Sequence, residues 1–98
     1  MMWPHFKRSR PVVVTTAHRG VFFGYAFSTK GRSIKLYRAR CCLYWPPENR
    51  GFLGLAHFGP LDDARVGPPA DIELHDVTSV AECTPTAAAR WEAAPWMA

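Results

Sequence analysis

Val12-Val13-Val14-Thr15-Thr16 is an unbroken run of β-branched residues, and it limits the fold of this chain more than any other stretch. Such side chains lose rotamer freedom in a helix but pack well on a pleated surface, so the run predicts a first strand. His18-Arg19-Gly20 then turns the chain into a second strand from Val21 to Phe27. There Val21, Phe23, Tyr25 and Phe27 share one face, while Phe22, Gly24 and Ala26 occupy the other. Gly24 has no side chain to pack, which predicts a bend or a close backbone crossing.

Ser28 to Arg32 reads as a turn, with Gly31 supplying the positive φ that a hairpin demands. The third strand opens with Ile34-Lys35-Leu36-Tyr37, inward residues alternating with outward ones. Its apolar set then continues at Ala39, Cys41 and Leu43, out of phase with Ile34 and Leu36. A one-residue slip of this kind is the mark of a β-bulge, so Arg38 to Trp45 is read as the bent second half of one long strand. Pro46 to Gly51 is a loop, Phe52 to Phe58 a short apolar fourth strand, and residues 59–71 an irregular exposed stretch. Ile72-Glu73-Leu74 and Val77 to Cys83 supply the last strand or pair of strands. Thr84 as N-cap and Pro85 at the first helical position start a helix over 85–93, with Ala87, Ala88 and Trp91 as its apolar stripe and Pro95 beyond its end. The expected fold is mainly β: a small, strongly bent antiparallel sheet or barrel with a short C-terminal helix.

The 98 residues suffice for one domain and not for two. The expected division is a flexible basic arm over 1–10, the domain over 11–94 and a tail over 95–98. No stretch approaches the ~20 apolar residues of a membrane span. The N-terminal residues are too polar for a signal peptide, so a soluble, cytoplasmic protein is expected. Cys41, Cys42 and Cys83 are odd in number, and neighbours on a strand point to opposite faces. With no C-x-x-C pair and no ligand spacing among His5, His18, His57 and His75, buried free thiols are expected and no metal or other cofactor.

Charge is unevenly placed. Residues 1–50 hold ten Lys and Arg against Glu48 alone, a net +9, and residues 51–98 hold Arg65 and Arg90 against seven acids, a net −5. Either folding interleaves the halves, or the basic half meets an anionic partner. No phosphate-cradling glycine loop and no nucleophile–base spacing is present, so catalysis is not expected. Arg19, Lys30, Arg32, Lys35, Arg38 and Arg40 cluster on turns and one strand, near Tyr37, Tyr44 and Trp45. Arginine forks grip phosphates and aromatic faces stack bases. Arg19, Arg38 and Arg40 are the candidate phosphate ligands, with Tyr44 or Trp45 for stacking. The plainer alternative makes the arginines a solvated edge and the aromatics core. Surplus apolar area at Phe22, Trp3, Phe52, Phe58, Trp91 and Trp96 points to a homo-oligomer, unless the termini fold back over it.

Gly20-Val21-Phe22-Phe23-Gly24, Ala39-Arg40 followed by aromatics ending in Trp45, Ile72-x-Leu74, and Cys83-Thr84 before an alanine-bearing helix form an ordered set over residues 12–91. In this set the chain resembles a family of small uncharacterised proteins encoded by tailed phages and prophages, departing at His18-Arg19 and Cys41-Cys42. The strand plan is also similar to Sm-like barrels, which assemble into rings, although no Sm motif is legible. The resemblance implies a phage context and no particular chemistry. Together with the basic cluster it leads to an expected role in binding and sequestering a small anionic ligand, such as a nucleotide signal of host defence. An Sm-like RNA- or DNA-binding ring, or a structural role on a host protein, is the alternative.

Overall fold

The computed structural model describes residues 9–96. Most of the expected basic arm, and the last two residues of the tail, lie outside the described residues. Arg10, assigned to that arm, instead opens the first strand. The strands are β1 (Arg10–Thr16), β2 (Val21–Ala26), β3 (Ile34–Tyr44), β4 (Arg65–Val66), β5 (Ala70–Leu74) and β6 (Val77–Glu82). All pair antiparallel in the order β4-β3-β2-β1-β6, with β5 on the same edge of β3 as β4.

The β-branched run is buried on both faces, and this explains its composition. Val13 faces an outer core with Val21, Phe23, Cys42 and Val66, whereas Val12 and Val14 face an inner core with Ala26, Ile34, Leu36, Leu74 and Val77. The inner core fills the concave side of the bent sheet. β5 and β6, joined by the His75–Asp76 turn, approach from opposite edges, and the Val77 amide donates to the Arg32 carbonyl at 3.0 Å. No ladder joins β5 to β6, so the sheet curls without closing into a barrel.

The predicted slip in β3 is present at Arg38. Its φ of 54° is left-handed, and the pairings on both sides of β3 shift register around it. Before the bulge Ile34 and Leu36 point inward; after it Ala39 does. A Cβ on Gly24 would lie 2.9 Å from the Leu36 Cβ and 3.3 Å from Ala39, the close approach that the bend requires.

The fourth strand expected over Phe52 to Phe58 is a helix, α1 (Gly51–Phe58). A short apolar run is locally ambiguous. Here Phe52, Leu55 and Ala56 recur at helical spacing and pack on the outer core. Arg50 and Gly51, both with positive φ, break the chain direction before it, after a 3-10 turn over Pro47–Asn49. Asn49, fully buried just before the helix, is tied to the chain just past its end: its Nδ2 donates to the Gly59 carbonyl at 2.8 Å and its Oδ1 accepts from the Leu61 amide at 3.2 Å. The stretch expected to be irregular over 59–71 also contains β4 and the start of β5.

The second helix, α2 (Pro85–Ala93), has the expected bounds and cap: Thr84 Oγ1 accepts from the Ala87 amide at 3.0 Å. Its stripe of Ala87, Ala88 and Trp91 is buried. Trp91 stacks on Phe23 with ring centroids 5.2 Å apart and donates its indole N–H to the Leu55 carbonyl, which locks α2 to α1 and to the sheet. Much of the apolar surplus is thus absorbed within one chain, since Phe22 and Phe52 also pack against the two cores.

Candidate ligand-binding surface

The structure distributes the five residues singled out in the sequence. Arg40 is 3% exposed. Its guanidinium donates to the carbonyls of Gly67, Trp91 (2.8 Å) and Ala94 (2.7 Å), and burial lowers its pKa from the usual guanidinium value. Arg40 therefore clamps the C-terminal end of α2, where helix carbonyls lack partners and favour a cation. Arg38 serves the same region. Its amide donates to Asp71 Oδ1 and its guanidinium to Glu92 Oε1, both at 2.9 Å, and it lies 5.8 Å from the Tyr25 ring centroid. Tyr25 donates its hydroxyl to Glu92; burial and that carboxylate push the phenol upward.

Arg19 is exposed in the β1–β2 turn with a φ of 67°. Tyr44 is half exposed at the far end of β3, opposite Arg65, and Trp45 packs half-buried on the outer core. Phe22 pairs with Cys41, so Arg19 and Tyr44 share one end of the sheet, while Arg38 and Arg40 sit against the end of α2. The five residues do not converge on one site.

A different group does converge, on the hairpin between β2 and β3. The helices cover the outer face of the sheet over Val13, Phe23 and Cys42, and that cover ends before Phe27. Phe27 is 40% exposed and meets Tyr37 edge to face, ring centroids 5.4 Å apart. Lys35 Nζ is 5.7 Å from the Tyr37 centroid, and Lys30 and Arg32 stand exposed in the connecting loop. Among the described residues none of these three cations has a carboxylate at ion-pair distance, although Glu73 is the register partner of Lys35. Arg10 holds the loop from below, donating to Thr29 Oγ1 at 2.7 Å while pairing with Glu82. Lys30, Arg32, Lys35 and Tyr37 stood in the basic–aromatic cluster of the sequence. Phe27 did not, because its alternation groups it with Val21 and Phe23. That grouping gives its face correctly but not where the cover on that face stops.

The family model for a domain of unknown function, DUF6948, matches residues 9–91. The chain belongs to this family. The match runs from the edge of β1 to Trp91 and so includes both cores and the hairpin surface. No curated protein and no solved structure matches the chain.

Elsewhere in the DUF6948 domain the chemistry differs. A cleft of about 810 Å³ between residues 46–48, residues 60–64 and the end of α2 is lined by Glu48, Asp62 and Asp63 against Arg90, whose guanidinium donates to the Phe58 carbonyl at 3.0 Å. Its charge does not suit an anion. Burial pushes the Cys42 thiol up to about 11 and that of Cys83 to about 12, and raises Cys41 as well. Thiols held protonated in this way are poor nucleophiles. No three His, Cys, Asp or Glu side chains among the described residues are grouped to hold a metal, and no described helix is long and apolar enough to cross a membrane.

Proposed function

We propose that this DUF6948 domain works by binding a nucleotide unit without turning it over. The hairpin surface carries the reading: an aromatic pair, exposed Phe27 against half-buried Tyr37, stands beside three cations, Lys30, Arg32 and Lys35, that lack carboxylate partners among the described residues. A base stacks on the rings, a contact worth about 1–3 kcal/mol, while the cations take the phosphate. Tight capture needs no difference between ground state and transition state. Stoichiometric retention of that unit is the biological use proposed.

The test is calorimetric titration of the purified chain with uridine monophosphate, ADP-ribose, a cyclic dinucleotide and short oligouridylates, each followed by heat release and analysis of the released material. Saturable binding of at least one probe and recovery of the intact molecule is expected, with binding weakened at least tenfold by Phe27→Ala and by Lys35→Glu. No binding in the whole panel, or recovery of a cleaved product, overturns the proposal.

A further inference from the structure

The hairpin cations do not stand alone. Three loops separated in sequence are tied together by main-chain hydrogen bonds. The Val77 amide donates to the Arg32 carbonyl at 3.0 Å, and the Ala17 amide donates to the Asp76 carbonyl at 2.8 Å. The residues just before β3, the β5–β6 turn and the β1–β2 turn are thereby brought next to one another where the sheet curls round on itself. Each carries exposed basic or titratable side chains: Arg32 on the first, His75 on the second, His18 and Arg19 on the third. His75 Nδ1 lies 3.4 Å from Ser33 Oγ, and His18 Nε2 lies 3.7 Å from Asp76 Oδ2.

We infer that these groups continue the hairpin surface into a phosphate track, and that the ligand is a single-stranded nucleic acid rather than a free nucleotide. This rests on the proposed binding of a nucleotide unit at the hairpin. The length of the track is the deciding quantity. Lys35 to Arg32 is three residues of extended chain, roughly 10 Å, and Arg32 to Val77 to Thr16 is two strand spacings, roughly another 10 Å. At ~3.4 Å per phosphate in a stacked strand, and more in an extended one, that length serves several linked phosphates. A mononucleotide would leave Arg19 and His18 unused.

The four permanent cations, Lys30, Arg32, Lys35 and Arg19, face Glu73 opposite Lys35 and Asp76 beside His18. The balance stays positive, and the two carboxylates disfavour a second strand. Phe27 and Tyr37 give stacking without a fixed donor–acceptor pattern, so the track reads backbone and stacking rather than sequence.

The experiment is fluorescence anisotropy of labelled oligouridylates of one, three, six and twelve nucleotides, over a salt series, with the wild type and two variants. Arg19→Asn removes the charge with a residue that tolerates the left-handed φ of that turn. Lys35→Glu disrupts the hairpin end. Affinity is expected to rise at least tenfold from one to six nucleotides. The salt slope for the six-mer should be near −3, as expected for about four phosphates neutralised in a single strand. Arg19→Asn should weaken the six-mer five- to tenfold and leave the mononucleotide unchanged, and Lys35→Glu should weaken both. Equal affinity at all lengths with Arg19→Asn inert overturns the track while leaving the hairpin site standing. Loss of every ligand in Lys35→Glu, with Arg19→Asn unchanged from the wild type, likewise overturns the track alone. No binding of any length by the wild type removes both readings.

Discussion

Arg40 Nη1 donates to the main-chain carbonyl of Trp91 at 2.8 Å, so a residue in the middle of the longest strand holds the last turn of the C-terminal helix. The same guanidinium takes the carbonyls of Gly67 and Ala94 and lies 5.6 Å from the Trp96 ring centroid. One buried cation thus joins β3, the segment after β4 and the end of α2.

Replacing Arg40 with Met keeps the stem and removes every donor. The carbonyls left behind are orphaned, and the expected loss is about 3 kcal/mol. For a domain of this size that corresponds to a fall in melting temperature of more than ~10 °C, measurable by differential scanning calorimetry. Lys in this position supplies a point charge without the planar fork and should recover only a minor part.

Trp91 is fully buried, stacked on Phe23 and hydrogen-bonded to the Leu55 carbonyl. Trp91→Ala should cost about 3–5 kcal/mol through the cavity it leaves. Trp91→Phe keeps the stack but loses the N–H donor and should cost about 1–2 kcal/mol. Chemical denaturation of the two variants separates packing from the hydrogen bond, and equal losses would contradict this division.

Gly54 provides a test in which helix propensity and packing have opposite signs. Alanine is the better helix former by about 1 kcal/mol. A Cβ at position 54, however, would fall 1.4 Å from the Asn49 carbonyl oxygen. Gly54→Ala is therefore expected to destabilise by about 3 kcal/mol, with α1 displaced from the 3-10 turn. A stabilised variant in thermal melts would show that α1 does not sit against Asn49.

The buried Cys42 and half-buried Cys83 thiols make stability depend on alkaline pH. Cys42 and Cys83 are raised by burial to about 11 and about 12, above the ordinary thiol value of 9.0. At pH values between these the unfolded chain has lost protons that the folded chain retains, so stability falls as pH rises. The contribution is complete below about pH 9 and is lost progressively towards pH 11–12, a window in which the raised Tyr25 phenol adds in the same direction. Melting temperature should be flat from about pH 7 to 8.5 and decline above about pH 9. Cys42→Ala combined with Cys83→Ala should make that decline shallower. In the folded wild type both thiols should react slowly with a disulfide reagent at about pH 8.

What the sequence by itself determined is local. The β-branched run, the Gly31 turn, the slip of parity after Tyr37 and the Thr84-Pro85 start each depend on neighbours a few residues away, and each is where the residues said it would be. Side-chain alternation, positive φ and helix capping are short-range physics, so they survive without knowledge of the fold. The remaining features depended on what lay above each face. Phe52 to Phe58 satisfies a strand or a helix equally well, and the helix prevails because Leu55 and Ala56 find the outer core and Asn49, before its start, binds the chain just past its end. Arg40 looks like Arg19 in the sequence. It is the bulge at Arg38 that turns it beneath α2, where three carbonyls claim its donors. Phe27 alternates with Phe23, yet the helices cover one and not the other. Tertiary structure decided which of several chemically identical side chains would be buried as struts and which would be left facing solvent, because coverage of a sheet face is set by elements distant in the chain.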